Sequence, residues 1–238
     1  MKIPKIFHQI WFDFGEGNGS EYPEKLKSYR DSWINLHPDW QYKLWNEEEF
    51  LKILPENLYE LYYSYNKMIK KVDFAKFVIL YMNGGVYVDC DDECFKNIEP
   101  ALGEYDVVLT FDYHIEQFSP GMAIINSFMA SVPKHPLFAF LINKCPAHKD
   151  KYVCKATGPT FLGGMIYEYY DDKNNDTRNV KIYMNDDYKL FYPVSWADKA
   201  DNIIKYRHNR EEFIKKYPDA YRTSHWSGLW DGNNIANF

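Results

Sequence analysis

The stretch NGGVYVDCDDEC, residues 83–94, puts two glycines, a short apolar run and four carboxylates into twelve positions. The glycines close a helical pattern, and VYVD behind them reads as a short buried strand. In open α/β sheets ligands sit beyond the carboxyl ends of strands, where loops converge. Asp89 and Asp91 fall at such an end, and strand alternation sets both on one side of the chain with Cys90 on the other. Two hard oxygen ligands at that spacing suit Mg²⁺ or Mn²⁺, ions that keep positions open for phosphate oxygens. An EF-hand loop would need Gly at its sixth position and Glu at its twelfth, where this chain has Cys94 and Pro100. An aspartate-nucleophile phosphatase would carry Thr or Val where Glu93 stands and would open the fold with the motif. A purely structural turn would not call for two glycines and a tyrosine ahead of the acids.

Working outward, IPKIFHQIWF (3–12) is a β-rich run, and a glycine-rich loop, DFGEGNGSEYP, follows it. EKLKSYRDSWINLH (24–37) has Leu26, Tyr29, Trp33 and Ile34 at helical spacing. Pro38 ends that helix, and WQYKLWN (40–46) alternates as a second strand. Strand, helix, strand is the start of a βαβ unit. Helices are predicted over 47–70 and 73–82, a third strand at VYVD and a fourth at YDVVLTFD (105–112). GMAIINSFMAS (121–131) reads as a strand running into a helix. HPLFAFLINKC (135–145) is helical, TGPTFLGGMIYEYY (157–170) is a loop capping a helix, and VKIYMND (180–186) is a late strand. With no repeat, linker or low-complexity tract, residues 1–238 are expected to form a single α/β domain.

Composition narrows the partners. A net charge of −6 without any dense Lys/Arg run argues against nucleic acid. The aromatic share of 18% fills a core and also suits sugar and nucleobase faces. KMIKKVDFAK (67–76), the most basic segment, reads as a solvated amphipathic face, with peripheral contact to anionic lipid as the other reading. Four cysteines lack the spacing of a structural zinc site. No run of about 18 apolar residues occurs and the N-terminus has no signal-like apolar stretch, so the expected location is the cytoplasm or the inner face of the membrane.

Several segments together resemble glycosyltransferase family 32: IPKIFHQIWF, SWINLHPDWQYKLWN, VDFAKFVILYMNGGVYVDCD, INSFMASVPKHP, TGPTF, FYPVSW and SHWSGLW. These are DXD-containing sugar transferases related to yeast initiating mannosyltransferases, bacterial capsule enzymes and, distantly, large clostridial glucosylating toxins. The resemblance implies a GT-A fold, a Rossmann-like nucleotide-sugar-binding domain with a mixed central sheet flanked by helices. It also implies retaining transfer from a nucleotide diphosphate sugar, UDP- rather than GDP-linked, to a saccharide or lipid-linked saccharide acceptor, with Mn²⁺ or Mg²⁺, in polysaccharide biosynthesis. Carried over residue by residue, Asp91 becomes the principal metal ligand and Asp89 a ligand of metal or ribose. Asp73 holds sugar hydroxyls, Gly85 and Tyr87 line the donor pocket, Trp11 stacks on the base, and Asn126 lies near the reacting sugar. His225 completes the metal site, Trp226, Ser227 and Trp230 close over the diphosphate, and segment 221–238 covers the active site. Lys76 stands where relatives carry Arg, keeping the charge but losing the planar fork.

Read alone, His8 fits a hydrogen-bonded core histidine better than a ligand, and Trp33, Trp40, Trp45 and Trp196 fit packing. Cys90 is expected to be buried and unreactive, and Asp92 and Glu93 to lie past the strand end, behind the site or in solvent. A hydrolase acting on nucleotide sugars or phosphoesters, or an inactive glycan-binding relative, would use the same acids differently.

Overall fold

The computed structural model describes residues 1–13, 21–112, 124–195 and 209–228. The chain opens with β1 (Ile6–Ile10), α1 (Glu24–Leu36) and β2 (Gln41–Trp45). The two strands pair in parallel, Ile6 opposite Gln41 through Ile10 opposite Trp45. Helix α1 buries Leu26, Tyr29 and Trp33, the three- and four-residue spacing that makes one apolar stripe. It stops at His37, since the residue before a proline is pushed out of helical geometry.

Three helices follow: α2 (Glu47–Leu51), α3 (Tyr59–Ser64) and α4 (Met68–Asn83). The predicted break between helices near 71–72 is absent; α4 runs unbroken and the interruption falls at residues 65–67. Nor is α4 a solvated amphipathic helix. Ten of its residues are buried, from Lys70 through Leu80 with Lys71 excepted, because the helix is enclosed on every side and even its lysines find partners inside. Gly84 then turns the chain at φ +65° and Gly85 follows at φ +92°. A Cβ on Gly85 would stand 2.6 Å from Ile6 Cγ2 and 2.7 Å from the Ile6 carbonyl, so only glycine lets the next strand start here.

That strand is β3 (Gly85–Val88); β4 (Asp92–Cys94), a short helix α5 (Glu99–Leu102), β5 (Val107–Phe111) and β6 (Ile124–Ser131) come next. Then follow α6 (Pro136–Lys144), α7 (Val153–Ala156), α8 (Pro159–Asp171), β7 (Val180–Tyr183), α9 (Arg210–Lys216) and β8 (Arg222–Ser224). Six strands form a mixed sheet in the order β2-β1-β3-β6-β5-β7. β3 pairs parallel to β1 and antiparallel to β6, and β5 pairs antiparallel to β6 and parallel to β7. Apolar clusters cover both faces: Val86 and Val88 point to the side of Trp33 and Phe7, and Tyr87 to the side of Phe77 and Phe161.

Two expectations are corrected here. Residues 124–131, expected to run from strand into helix, are strand throughout. They lie between β3 and β5 with all eight residues buried, and a continuous apolar run carries no period that separates helix from strand. Asp92 and Glu93 do not trail into solvent: they belong to β4, which pairs antiparallel with β8 in a separate two-stranded ribbon.

Candidate active site

The four acids of the opening stretch tolerate one another because each has its own compensating partner, and most of those partners come from far along the chain.

Asp89, just past β3, receives two donors on one oxygen: Tyr87 Oη at 2.7 Å and Lys76 Nζ at 3.0 Å. Its backbone is pinned as well, with its N–H on the Ser127 carbonyl at 2.9 Å and its carbonyl taking Gln9 Nε2 at 3.1 Å. Lys76 also reaches Asp73 Oδ1, one helical turn earlier, at 3.1 Å and lies 4.8 Å from the centre of the Tyr87 ring. Burial disfavours the Lys76 charge, yet Asp89 and Asp73 outweigh it, and its pKa is raised. Asn126 Nδ2 donates to Asp73 Oδ1 at 2.9 Å, and Thr157 Oγ1 approaches Oδ2 at 3.5 Å. Burial raises the Asp73 pKa against the pull of Lys76. α4, β3, β6 and the turn between α7 and α8 therefore converge on one charged knot, and Asp73, Lys76, Tyr87, Asp89 and Asn126 are brought together.

Cys90 turns the other way, its thiol donating to the Ile10 carbonyl at 3.3 Å. Burial and the flanking Asp89 and Asp91 push its pKa well up, so no thiolate is offered.

Asp91 binds the C-terminal segment rather than the sheet. Its carbonyl takes the His225 N–H at 3.0 Å, and its Oδ2 takes the Ser227 N–H at 2.7 Å. β4 and β8 pair with Asp92 opposite Ser224, so alternation gives the ribbon two faces. One carries Asp91, Glu93 and His225. His225 Nε2 donates to Glu93 Oε2 at 2.9 Å, its ring stacks on Tyr29 at 4.3 Å, and Arg210 meets the other Glu93 oxygen. The opposite face sets Asp92 against Arg222, both fully buried, with the guanidinium 4.5 Å from the Tyr192 ring centre. The two charged groups touch without an aligned hydrogen bond. Arg210 and Arg222 were not singled out in the sequence, and Glu93 was expected behind the site or in solvent. The one signal available is the period-2 alternation of a strand through Asp91–Glu93.

The remaining expected residues are placed as follows. Trp11 is 5% exposed and clusters with Leu26, Tyr29 and Tyr22; its indole N–H is buried with no partner among the described residues. Trp226, at φ +48°, donates its indole N–H to the Val194 carbonyl at 3.0 Å. Trp230 and Trp196 lie outside the described residues. His8 is fully buried, with Nε2 on the Gly84 carbonyl at 2.9 Å and Nδ1 taking Trp45 Nε1 at 3.1 Å. Desolvation lowers its pKa to about 4. It is a neutral core histidine.

Among the described residues, no three His, Cys, Asp or Glu side chains converge as an ion cage. His225, expected beside Asp89 and Asp91, directs Nε2 to Glu93. What the site offers is two carboxylates, each with one oxygen taken by protein donors. That donor set fits a hard divalent ion drawing its other ligands from phosphate oxygens and water.

Residues 23–108 match the family model described as "Glycosyltransferase sugar-binding region containing DXD motif". The chain belongs to this DXD glycosyltransferase family. Mannosyl phosphorylinositol ceramide synthase SUR1 of Saccharomyces cerevisiae is 31% identical over 79% of this chain and 48% of its own length. Inositol phosphoceramide mannosyltransferase 1 of Schizosaccharomyces pombe is 31% identical over 71% of this chain and 52% of its own. An uncharacterized glycosyltransferase of Acanthamoeba polyphaga mimivirus is 28% identical over 81% of this chain and 74% of its own. The chain thus spans about half the length of the yeast members it matches. In three dimensions the family member resembles the PaToxG glycosyltransferase, with a TM-score of 0.51 at 17% identity over 70% of this chain and 69% of the other. The ligand-free glycosyltransferase domain of the YGT toxin gives 0.51 at 10% identity over 76% and 80%. At such identities the likeness shows the fold, which is GT-A.

Proposed function

We propose that this chain is a retaining glycosyltransferase that moves a hexosyl group from a nucleotide diphosphate sugar to a saccharide or lipid-linked saccharide. Polysaccharide biosynthesis at the cytoplasmic face of a membrane is the setting this reading implies. The observation that carries it is the knot of Asp73, Lys76, Tyr87, Asp89 and Asn126 at the carboxyl end of β3, beside Asp91. Asp73 and Asn126 orient sugar hydroxyls, and Lys76 holds Asp73 and Asp89 apart and in register. Gly85 and Tyr87 shape the donor pocket behind them. A divalent ion, Mn²⁺ or Mg²⁺, held by Asp89 and Asp91 would supply the Lewis acidity that stabilises a diphosphate leaving group, with His225 as its further ligand. Trp11 serves as the wall at the base, and Trp226, Ser227 and Trp230 close over the diphosphate as segment 221–238 folds across. The Ser227 N–H already on Asp91 is the tie that makes this closure sense the site.

The test is thermal stabilisation by a panel of UDP- and GDP-linked hexoses with and without Mn²⁺, since a ligand that binds only the native state raises the melting point. UDP sugars are favoured by the family resemblance; the mannosyl names of the yeast relatives put GDP-mannose in the panel. Stabilisation should need sugar nucleotide and metal together, and Asp91→Asn should remove it along with about 100-fold of transfer rate. Undiminished transfer by Asp91→Asn would overturn the metal role, and sugar release to water without any acceptor would point to a hydrolase.

A further inference from the structure

The lysines at the start of α4 divide unexpectedly. Lys70 is buried and donates to the Lys149 carbonyl at 2.9 Å; Lys71 pairs with Glu47 at 3.2 Å; Lys76 sits in the charged knot. Only Lys67 of that basic segment is left on the outside. The Lys70 bond, however, pins residue 149 against the N-terminal turn of α4. It thereby brings Lys149, Lys151 and Lys155 to the same rim, where His148 Nδ1 lies 3.2 Å from both Lys151 Nζ and the backbone carbonyl of Lys155. Asp150 is the one carboxylate in residues 144–158, and residues 65–72 hold none. Two tyrosines flank this rim in the open: Tyr152 is 64% exposed and Tyr63 is 60% exposed, with Lys71 Nζ 5.5 Å from the Tyr63 ring centre. A chain of net charge −6 thus gathers cations and amphipathic rings on one edge.

We infer that this edge docks the protein on an anionic lipid bilayer. Lys67, Lys149, Lys151 and Lys155 would meet the lipid phosphates, and Tyr63 and Tyr152 the headgroup–acyl boundary, where aromatic rings with a polar tip settle. Charge complementarity selects the occupant: the acidic remainder of the molecule is repelled by the same surface, so the field orients it edge-on. The edge also abuts the site. Lys70 lies one turn, about 4.5 Å along the axis, before Asp73, and Thr157, which follows α7, reaches the Asp73 carboxylate. Docking would therefore hold the Asp73 side of the site toward the membrane plane. The binding itself does not depend on sugar transfer, so it stands or falls separately from the catalytic reading.

The 238-residue chain is sedimented with phosphatidylcholine vesicles and with vesicles containing phosphatidylglycerol, across a salt series. Binding should favour the anionic vesicles and weaken with salt. Each lysine contributes about fivefold, so Lys149→Gln, Lys151→Gln and Lys155→Gln combined should cost about 100-fold. Tyr152→Ser should weaken binding equally at low and high salt. Lys173→Gln with Lys215→Gln, exposed lysines on other elements, should change little. Melting points matching the parent show that the surface variants fold. Equal binding to neutral vesicles, no binding at low salt, or an equal loss in the control pair would each overturn the inference.

Discussion

Replacing Lys76 with Met tests the charged knot most directly. The methionine fills similar volume but leaves Asp73 and Asp89 facing each other without the cation. Lys76 and Asp73 have side chains 4% exposed, whereas Asp89 is 31% exposed. Removing one member of a buried pair costs about 3–5 kcal/mol. Asp89 can lean into solvent, where screening discounts its share, so the lower end, about 3 kcal/mol, is expected. For a chain of this length that is about 6–12 °C in melting temperature. Asp73 has an escape: it can take a proton. Its pKa is already raised by burial with Lys76 present, and loss of the lysine raises it further. A folded pKa above that of an unstructured aspartate, about 3.9, means the native state binds more protons than the unfolded chain between the two values. The deficit should therefore shrink as pH falls, by about 1.4 kcal/mol per unit between the folded Asp73 pKa of the variant and the lower one of the parent, since the unfolded aspartate is common to both. Urea unfolding of parent and variant from about pH 8 to about pH 5 reads this slope. A variant as stable as the parent would refute the assignment of Lys76 as the shared counter-charge.

Arg222→Met strands the fully buried Asp92 carboxylate and should cost about 3–5 kcal/mol, while adding Asp92→Leu should recover most of it; a denaturation cycle of the four proteins measures both. Gly85→Ala puts a methyl against Ile6 at positive φ and should lower unfolding free energy by about 2–4 kcal/mol, with parental stability refuting the close approach. His8, held neutral with a pKa of about 4, should keep an uncharged imidazole at about pH 5 in NMR spectra. Because the unfolded ring takes its proton near pH 6.5 and the native ring does not, up to about 3 kcal/mol of stability present above that pH is lost as pH falls toward the folded value. A His8 ring titrating near its ordinary value would remove that loss.

The physical basis of the site is a division of labour among acids. Asp89 is fixed within the sheet by donors from β3 and α4. Asp91 is fixed by the backbone of a segment more than a hundred residues downstream. Behind them, the Glu93–His225–Tyr29 and Asp92–Arg222–Tyr192 groupings tie the two faces of the β4–β8 ribbon to the helix α1 side and to the core.

Much of this was legible in the sequence because it is local. Period-2 and period-3.6 patterns mark β1, α1, β2, β5, α6, α8 and β7, and the paired glycines mark the passage from α4 to β3 with Asp89 and Asp91 at its end. Local patterns also carry their own limits. The uninterrupted apolar run of β6 looks alike in helix and strand, and α4, buried on every side, leaves its lysines looking like surface residues. What only the tertiary structure decided is which charge answers which. Arg222 and Asp92, His225 and Glu93, and Lys76 with both Asp73 and Asp89 meet through strand pairing and helix packing between distant segments. No residue in NGGVYVDCDDEC specifies those partners: a buried carboxylate demands a cation or donor, and the fold alone determines where along the chain it comes from.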